Sequence, residues 1–190
     1  RLIQSVLARY VPGTAVEEQL RDPEAKTLAA QRQEFSFVFT DIAGFTTLCE
    51  TAPPDQLVPM LNRYLAGMTE IVVVHQGVVS GFVGDAVVAY WGGPTGDAEH
   101  PVHALTAAQA MNRYARKLRS EARKQGLDFG RTRLGVHTGM ATLGNFGGPG
   151  RLAYMAHGDV VNTTSRLEGA NKFLGTHIAI SEATARRAGG

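Results

Sequence analysis

Apolar positions recur along this chain with two periods, one helical and one of the strand type. Residues 1–10 place Leu2, Ile3, Val6, Leu7 and Tyr10 at the spacing of a short amphipathic helix, and Pro12-Gly13 then breaks it. Residues 17–33 are polar and charged and read as a connector. Phe35-Ser36-Phe37-Val38-Phe39 alternates toward a buried strand that ends at Thr40-Asp41. A helix starts from Gly44, Pro53-Pro54 interrupts it, and a longer helix runs from about Asp55 to His75. Val78-Val79 and the run from Ala86 to Tyr90 are two strands joined tightly at Gly84-Asp85, a hairpin signal. A long helix is predicted over 99–125, then strands over 131–138 and 141–146 flanking Thr138-Gly139. A helix over 159–172 and a strand over 177–180 complete the series.

The predicted order is β-α-α-β-β-α-β-β-α-β, which contains a β-α-β followed by another β-α-β. That arrangement implies an α+β domain of ferredoxin-like type, an antiparallel sheet with helices on one face. Residues 1–33 form a linker or transducer helix with its connector, and 34–190 form the folded domain. The fold class hosts many activities, so the chemistry has to come from particular residues.

Composition changes this picture only by exclusion. Hydrophobic residues are 44% and charged residues 19%, which places the chain with ordinary globular domains. The net charge of +2 is spread thinly, and no basic run marks a nucleic-acid partner. The densest basic stretch, Arg113 to Lys124, has helical spacing and reads as a solvated helix face. A single cysteine, Cys49, excludes an internal disulfide framework and suits a reducing compartment, so a cytoplasmic location is expected. No uninterrupted apolar stretch approaches the roughly 20 residues that span a bilayer, and charges throughout residues 1–30 argue against a signal peptide. The chain opens in mid-helix and reads as part of something longer. An upstream sensor or membrane module is expected outside it.

Three segments carry candidate chemistry. In Phe39-Thr40-Asp41-Ile42-Ala43-Gly44-Phe45-Thr46 a carboxylate ends a buried strand and a glycine turn opens a helix. Free N–H groups at Gly44, Phe45 and Thr46 would attract a polyphosphate, with Asp41 holding a divalent cation beside it. The same aspartate would equally serve as a helix cap. In Phe82-Val83-Gly84-Asp85-Ala86 the aspartate at the hairpin tip is either turn chemistry or a second metal-binding carboxylate. In Gly158-Asp159-Val160-Val161-Asn162-Thr163-Thr164-Ser165-Arg166-Leu167-Glu168, Asn162 and Arg166 are four apart and share a helix face. An amide beside a guanidinium suits a ribose oxygen and a crowded phosphoryl group, although such pairs are also ordinary polar surface.

Together with Arg133-Leu134-Gly135-Val136-His137-Thr138-Gly139 and Ser165-Arg166-Leu167-Glu168-Gly169-Ala170-Asn171-Lys172, these segments resemble the class III adenylyl and guanylyl cyclases from about Phe35 to Thr184. The resemblance implies conversion of ATP or GTP to a 3′,5′-cyclic nucleotide in intracellular signalling. It implies a head-to-tail homodimer with shared active sites and two divalent cations, Mg2+ or Mn2+. Asp41 and Asp85 match the two metal-binding aspartates, and the Ile42 carbonyl matches a further ligand. Arg133 matches an arginine aimed at the phosphates from the metal-bearing subunit. Asn162 and Arg166 match the pair supplied by the other subunit.

Two positions depart from the family pattern, and both concern the base. Gly81 stands where adenylyl cyclases carry an adenine-binding lysine, and Met155 stands at the partner position. Neither side chain offers a hydrogen bond, so selectivity between ATP and GTP should be modest, with ATP favoured on family frequency. The family also continues into C-terminal strands bearing a phosphate-binding lysine, which this chain does not reach. A guanylyl or dual-specificity cyclase is the alternative within the family. A degenerate nucleotide-binding dimerisation module is the alternative outside catalysis.

Overall fold

The structure, a computed structural model, describes residues 31–93, 97–148 and 151–189. The helix expected over 1–10 and most of the connector lie outside the described residues. Eleven elements follow in order. They are β1 (Gln31–Ile42), α1 (Phe45–Thr51), α2 (Pro54–Val74), β2 (Val78–Val83), β3 (Ala86–Gly92) and α3 (His100–Lys124). Then come β4 (Thr132–Gly148), β5 (Arg151–His157), α4 (Asp159–Leu174), β6 (Ile178–Ile180) and α5 (Glu182–Arg187).

The main sheet has strand order β2-β3-β1-β4-β5, and every neighbouring pair is antiparallel. Strands β1 and β2 therefore run the same way with β3 between them, as do β3 and β4 around β1. Each of these two crossovers carries a long helix, and their common right-handedness puts both helices on one face. The packing agrees. Tyr64 and Met68 of α2 and Met111 and Leu118 of α3 share a core with Val38, Val87, Trp91, Leu134 and Val136. Helix α2 is long and apolar enough to cross a membrane by length and composition alone. Its stripe of Leu57, Met60, Tyr64, Met68 and Val72 is spent on this core instead.

Three sequence expectations need correction. Thr138-Gly139 is not a turn, because β4 runs straight through it, with Ser36 opposite Thr138 and Phe35 opposite Gly139. The Thr138 hydroxyl is held inside the sheet by Ser36 at 2.7 Å and Thr184 at 3.1 Å, so a threonine-glycine pair here serves packing. The chain reverses only after Gly148, into a strand, β5, that the pattern did not announce. The connector also ends earlier than expected, since β1 starts at Gln31 and pairs Gln31 with Leu143.

The one-face arrangement holds for α2 and α3 but not for α4. Gly135 and Gly139 occupy the opposite face of β4, and their missing side chains let α4 close on the strand. A Cβ at Gly135 would sit 2.1 Å from the Thr164 carbonyl oxygen and 2.5 Å from the Glu168 nitrogen. This second face has its own smaller cluster of Phe35, Phe37, Tyr90, Ala141, Leu143 and Val160. At the far edge, β6 pairs in parallel with Leu134–Val136 of β4.

Candidate active site

The ends of β1, β3 and β4 meet at one corner of the sheet. Backbone pairing of β1 with β3 stops at Phe39 and Val88. Beyond that point side chains take over the ladder. The Val87 N–H donates to Thr40 Oγ1 at 3.0 Å, and the Ile42 N–H donates to Asp85 Oδ2 at 2.7 Å. The strands thus stay in register at the corner, and the hairpin carboxylate is drawn against the end of β1. Gly84, at φ +63°, makes the turn that aims Asp85 there, a conformation glycine adopts without steric cost.

Asp41 lies directly opposite Arg133 in the β1–β4 register. Arg133 donates from Nη2 to Asp41 Oδ2 and from Nε to Glu168 Oε1, the latter at 2.7 Å. Glu168 comes from the buried side of α4, with Val160, Thr164 and Asn171. Three carboxylates and one guanidinium therefore occupy the corner, and Arg133 bridges two of the acids.

Burial shapes their proton affinities. Asp85 is only 9% exposed, and loss of solvent raises its pKa, with the Ile42 N–H opposing the shift and Asp41 adding to it. Glu168 is also raised, by burial first and then by Asp41, while Arg133 pulls the other way. Burial alone would lower the pKa of Arg133, but its bonds to Asp41 and Glu168 outweigh that and raise it. The corner is short of positive charge, and one arginine supplies what there is.

That deficit suits a divalent cation. The donors on offer are all hard oxygens, the carboxylates of Asp41 and Asp85 and the Ile42 carbonyl at the strand end. Among the described residues no group of three or more His, Cys, Asp or Glu could hold a metal unaided. A site with two carboxylates leaves coordination positions for water and phosphate oxygens, the habit of Mg2+ beside a nucleotide. The residues fit the group.

Gly44, in the left-handed region at φ +74°, is the N-cap of α1. The Leu48 N–H closes the first helical bond onto the Gly44 carbonyl. The N–H groups of Phe45 and Thr46 precede that bond and are free of helical carbonyls. These sequence-predicted positions thus lie three to five residues past Asp41, at the same corner.

Asn162 and Arg166 are not brought to that corner within one chain. Both are exposed, on the side of α4 opposite Thr164 and Glu168. Gly81 sits at a register shift in β2, with open space where a side chain would project. Met155 pairs with Gly144 in β5. Val78 of β2 and Ala156 of β5 both pack against the cluster that includes Val160 at the start of α4. One surface of one chain therefore gathers the elements bearing Gly81, Met155, Asn162 and Arg166, and its sheet corner gathers Asp41, Ile42, Asp85 and Arg133.

Sequence reasoning passed over Glu168 and Thr40. A carboxylate in register with Val160 and Thr164 on a helix's buried side was the available signal for Glu168. His100 and His103 share a helix face but serve different partners. His100 bonds Ser36 at 2.9 Å, and burial lowers its pKa, while His103 bonds Asp97 at 2.9 Å.

Comparison with known proteins agrees with this geometry. The profile described as "Adenylate and Guanylate cyclase catalytic domain" matches residues 28–188. Adenylate cyclase 1 of Rhizobium meliloti is 42% identical over 176 residues, covering 93% of this chain and 26% of that protein. The chain thus spans about a quarter of the length of that relative. The adenylyl cyclase CyaB from P. aeruginosa superposes with a TM-score of 0.77 at 36% identity, covering 84% of this chain and 82% of that one. The guanylyl cyclase Cya2 gives a TM-score of 0.78 at 28% identity over 85% and 81% of the two chains. With the paired aspartates, the bridging arginine and this match over most of its length, the chain belongs to the adenylate and guanylate cyclase catalytic domain family, which implies a nucleotide substrate and dependence on a divalent metal.

Proposed function

We propose that this domain converts ATP to 3′,5′-cyclic AMP and pyrophosphate. The observation that carries the reading is that Asp85 accepts the Ile42 N–H at 2.7 Å, which holds the hairpin carboxylate beside Asp41 at the end of β1. In the reaction the ribose 3′-oxygen forms a new bond to the α-phosphorus. The bond from that phosphorus to the oxygen bridging the β-phosphate breaks, pyrophosphate leaves with its electron pair, and the 3′-hydroxyl proton passes to solvent.

Asp41, Asp85 and the Ile42 carbonyl would hold two divalent cations, Mg2+ or Mn2+, which supply Lewis acidity at the 3′-oxygen and charge for the leaving pyrophosphate. The N–H groups after Gly44 cradle phosphate oxygens. Arg133 neutralises Asp41 in the free site, and its Nε stays on Glu168 when its terminal nitrogens turn to the triphosphate. Catalysis is then mostly positioning and charge neutralisation. Asn162 and Arg166, exposed and turned from their own corner, serve the corner of a second copy, so the active unit is a homodimer with two shared sites. Gly81 and Met155 offer the purine no hydrogen-bonding side chain, so GTP is accepted with only modest discrimination.

The test is a product assay with purified protein, Mn2+ or Mg2+, and ATP or GTP. Asp41→Ala and Asp85→Ala should each lower turnover by more than about a hundredfold without unfolding the domain. Near-wild-type turnover in either variant would sink the metal assignment. Chains bearing Asp41→Ala mixed with chains bearing Arg166→Ala should recover about a quarter of wild-type activity, because half of randomly paired dimers regain one intact site. Confirmed mixed dimers without recovery would overturn the shared site.

A further inference from the structure

On the face of the sheet away from the catalytic corner, α3, the start of β4 and the segment before β6 enclose a small cleft. Its walls are Ala115, Arg116, Arg119, Arg131, Thr132 and His177, and its volume is about 160 Å³. Three of these six residues are arginines, and none is acidic. The basic stretch Arg113–Lys124 is a largely solvated helix face, as its spacing predicts, and the half-buried Arg119 and the exposed Arg116 line the cleft from it.

The arginines are poorly neutralised. Arg119 spends its Nε on the Phe129 carbonyl at 3.2 Å. The guanidinium groups of Arg116 and Arg131 make no hydrogen bond or ion pair among the described residues. The nearby Asp128 is paired with Arg123 and is 87% exposed, outside the cleft. Burial lowers the pKa of Arg119, and the charges of Arg123 and Arg131 lower it further. Like charges held together in a hollow repel one another, and an anion entering would relieve that repulsion while accepting several charge-assisted bonds.

We propose that this cleft is a binding site for a small tetrahedral oxyanion of the phosphate class, separate from the catalytic corner. The size selects against larger ligands, since pockets for drug-sized molecules are roughly twice this volume or more. Planar guanidinium forks approaching from α3 and from β4 suit an anion with oxygens in several directions better than a flat carboxylate. The site stands independently of the nucleotide chemistry proposed above.

The floor of the cleft belongs to the strand that forms the catalytic corner. The Arg131 carbonyl accepts the Ala43 N–H at 2.9 Å, next to Ile42, and Arg133 lies two residues along the chain, opposite Asp41. An anion here contacts the same strand end.

Calorimetric titration of the protein with inorganic phosphate, at constant ionic strength and with EDTA present, tests the proposal. Without divalent metal the catalytic corner presents carboxylates and repels phosphate. Saturable binding of one phosphate per chain is expected, unchanged in Asp41→Asn. Arg116→Gln and Arg131→Gln should each weaken it by about tenfold, the usual weight of a bond to a charged group. Absence of saturable binding, or binding indifferent to both substitutions, would overturn the site. Backbone amide shifts of the unaltered protein provide a check that needs no variant. Phosphate should move the resonances of Ala115–Arg119 and of Arg131 and Thr132. Shifts confined to Asp41–Thr46 would place the anion at the catalytic corner and sink the proposal.

Discussion

The two faces of the sheet are built on different principles. Under α2 and α3 the packing is deep and mostly apolar, with Tyr64, Met68, Trp91, Met111 and Leu134 essentially inaccessible. Under α4 the apolar cluster is small, centred on Phe35 and Tyr90 in an edge-to-face pair with centroids 5.7 Å apart. The rest of that face is closed by glycine, which brings the α4 backbone onto the strand, and by the bridge from Asp41 through Arg133 to Glu168. Apolar burial is concentrated on one side, and the charged groups of the proposed site, Asp41, Arg133 and Glu168, are concentrated on the other. A deep core on one face lets the opposite face carry half-buried carboxylates, each of which costs free energy until it is neutralised.

The largest stability effect should come from the deep face. Met68→Ala removes a fully buried side chain and should lower stability by about 2–5 kcal/mol. At roughly 2–4 °C per kcal/mol for a domain of this size, thermal unfolding will register it clearly. Turnover per folded molecule should stay near wild type. A matching loss of turnover would show that the two faces are not separable.

A smaller stability loss with a disproportionate loss of activity is expected at Gly135. The methyl of Gly135→Ala meets backbone atoms of Thr164 and Glu168 that cannot rotate away, so α4 has to shift. Overpacking of this kind costs about 1–3 kcal/mol. Because α4 carries Glu168, Asn162 and Arg166, turnover of the folded fraction should fall as well. Thermal unfolding and activity normalised to folded protein measure both, and unaltered normalised activity would mean that α4 tolerates displacement.

The smallest effect has the opposite sign. Burial raises the Asp85 pKa in the folded state, so Asp85 contributes stability below the unfolded carboxyl range and loses it as pH rises through the folded value. Asn at this position keeps an acceptor for the Ile42 N–H and cannot ionise. In EDTA at neutral pH, Asp85→Asn should therefore gain stability on the order of 1 kcal/mol. The gain should fade as pH falls through the carboxyl range, and metal-dependent activity should be lost throughout. Melting curves across pH check this, and a destabilised variant at neutral pH would refute the desolvation argument.

Much of this was readable from residue order. Alternation in Phe35–Phe39, the Gly84-Asp85 hairpin and the long helix after Asp97 all appear where the pattern put them, because period and turn chemistry are local properties. Asp41 and Asp85, the proposed metal ligands, stood out for the same reason, since each sits beside a turn signal. Strand β5 was missed because its pairing partner, not its own composition, makes it a strand. Thr138-Gly139 was misread as a turn because glycine marks both chain reversal and close approach, and a one-dimensional pattern does not separate the two.

The sequence by itself determined the kinds of element, their order and the chemical types available to the site. Tertiary structure alone decided which of those groups meet. Glu168 becomes a partner of Arg133 only because two glycines admit α4 to the second face, and Arg116, Arg119 and Arg131 become a cleft only because α3 crosses the start of β4. Such meetings depend on contacts between residues dozens of positions apart. They are set by packing and excluded volume, to which local periodicity is blind.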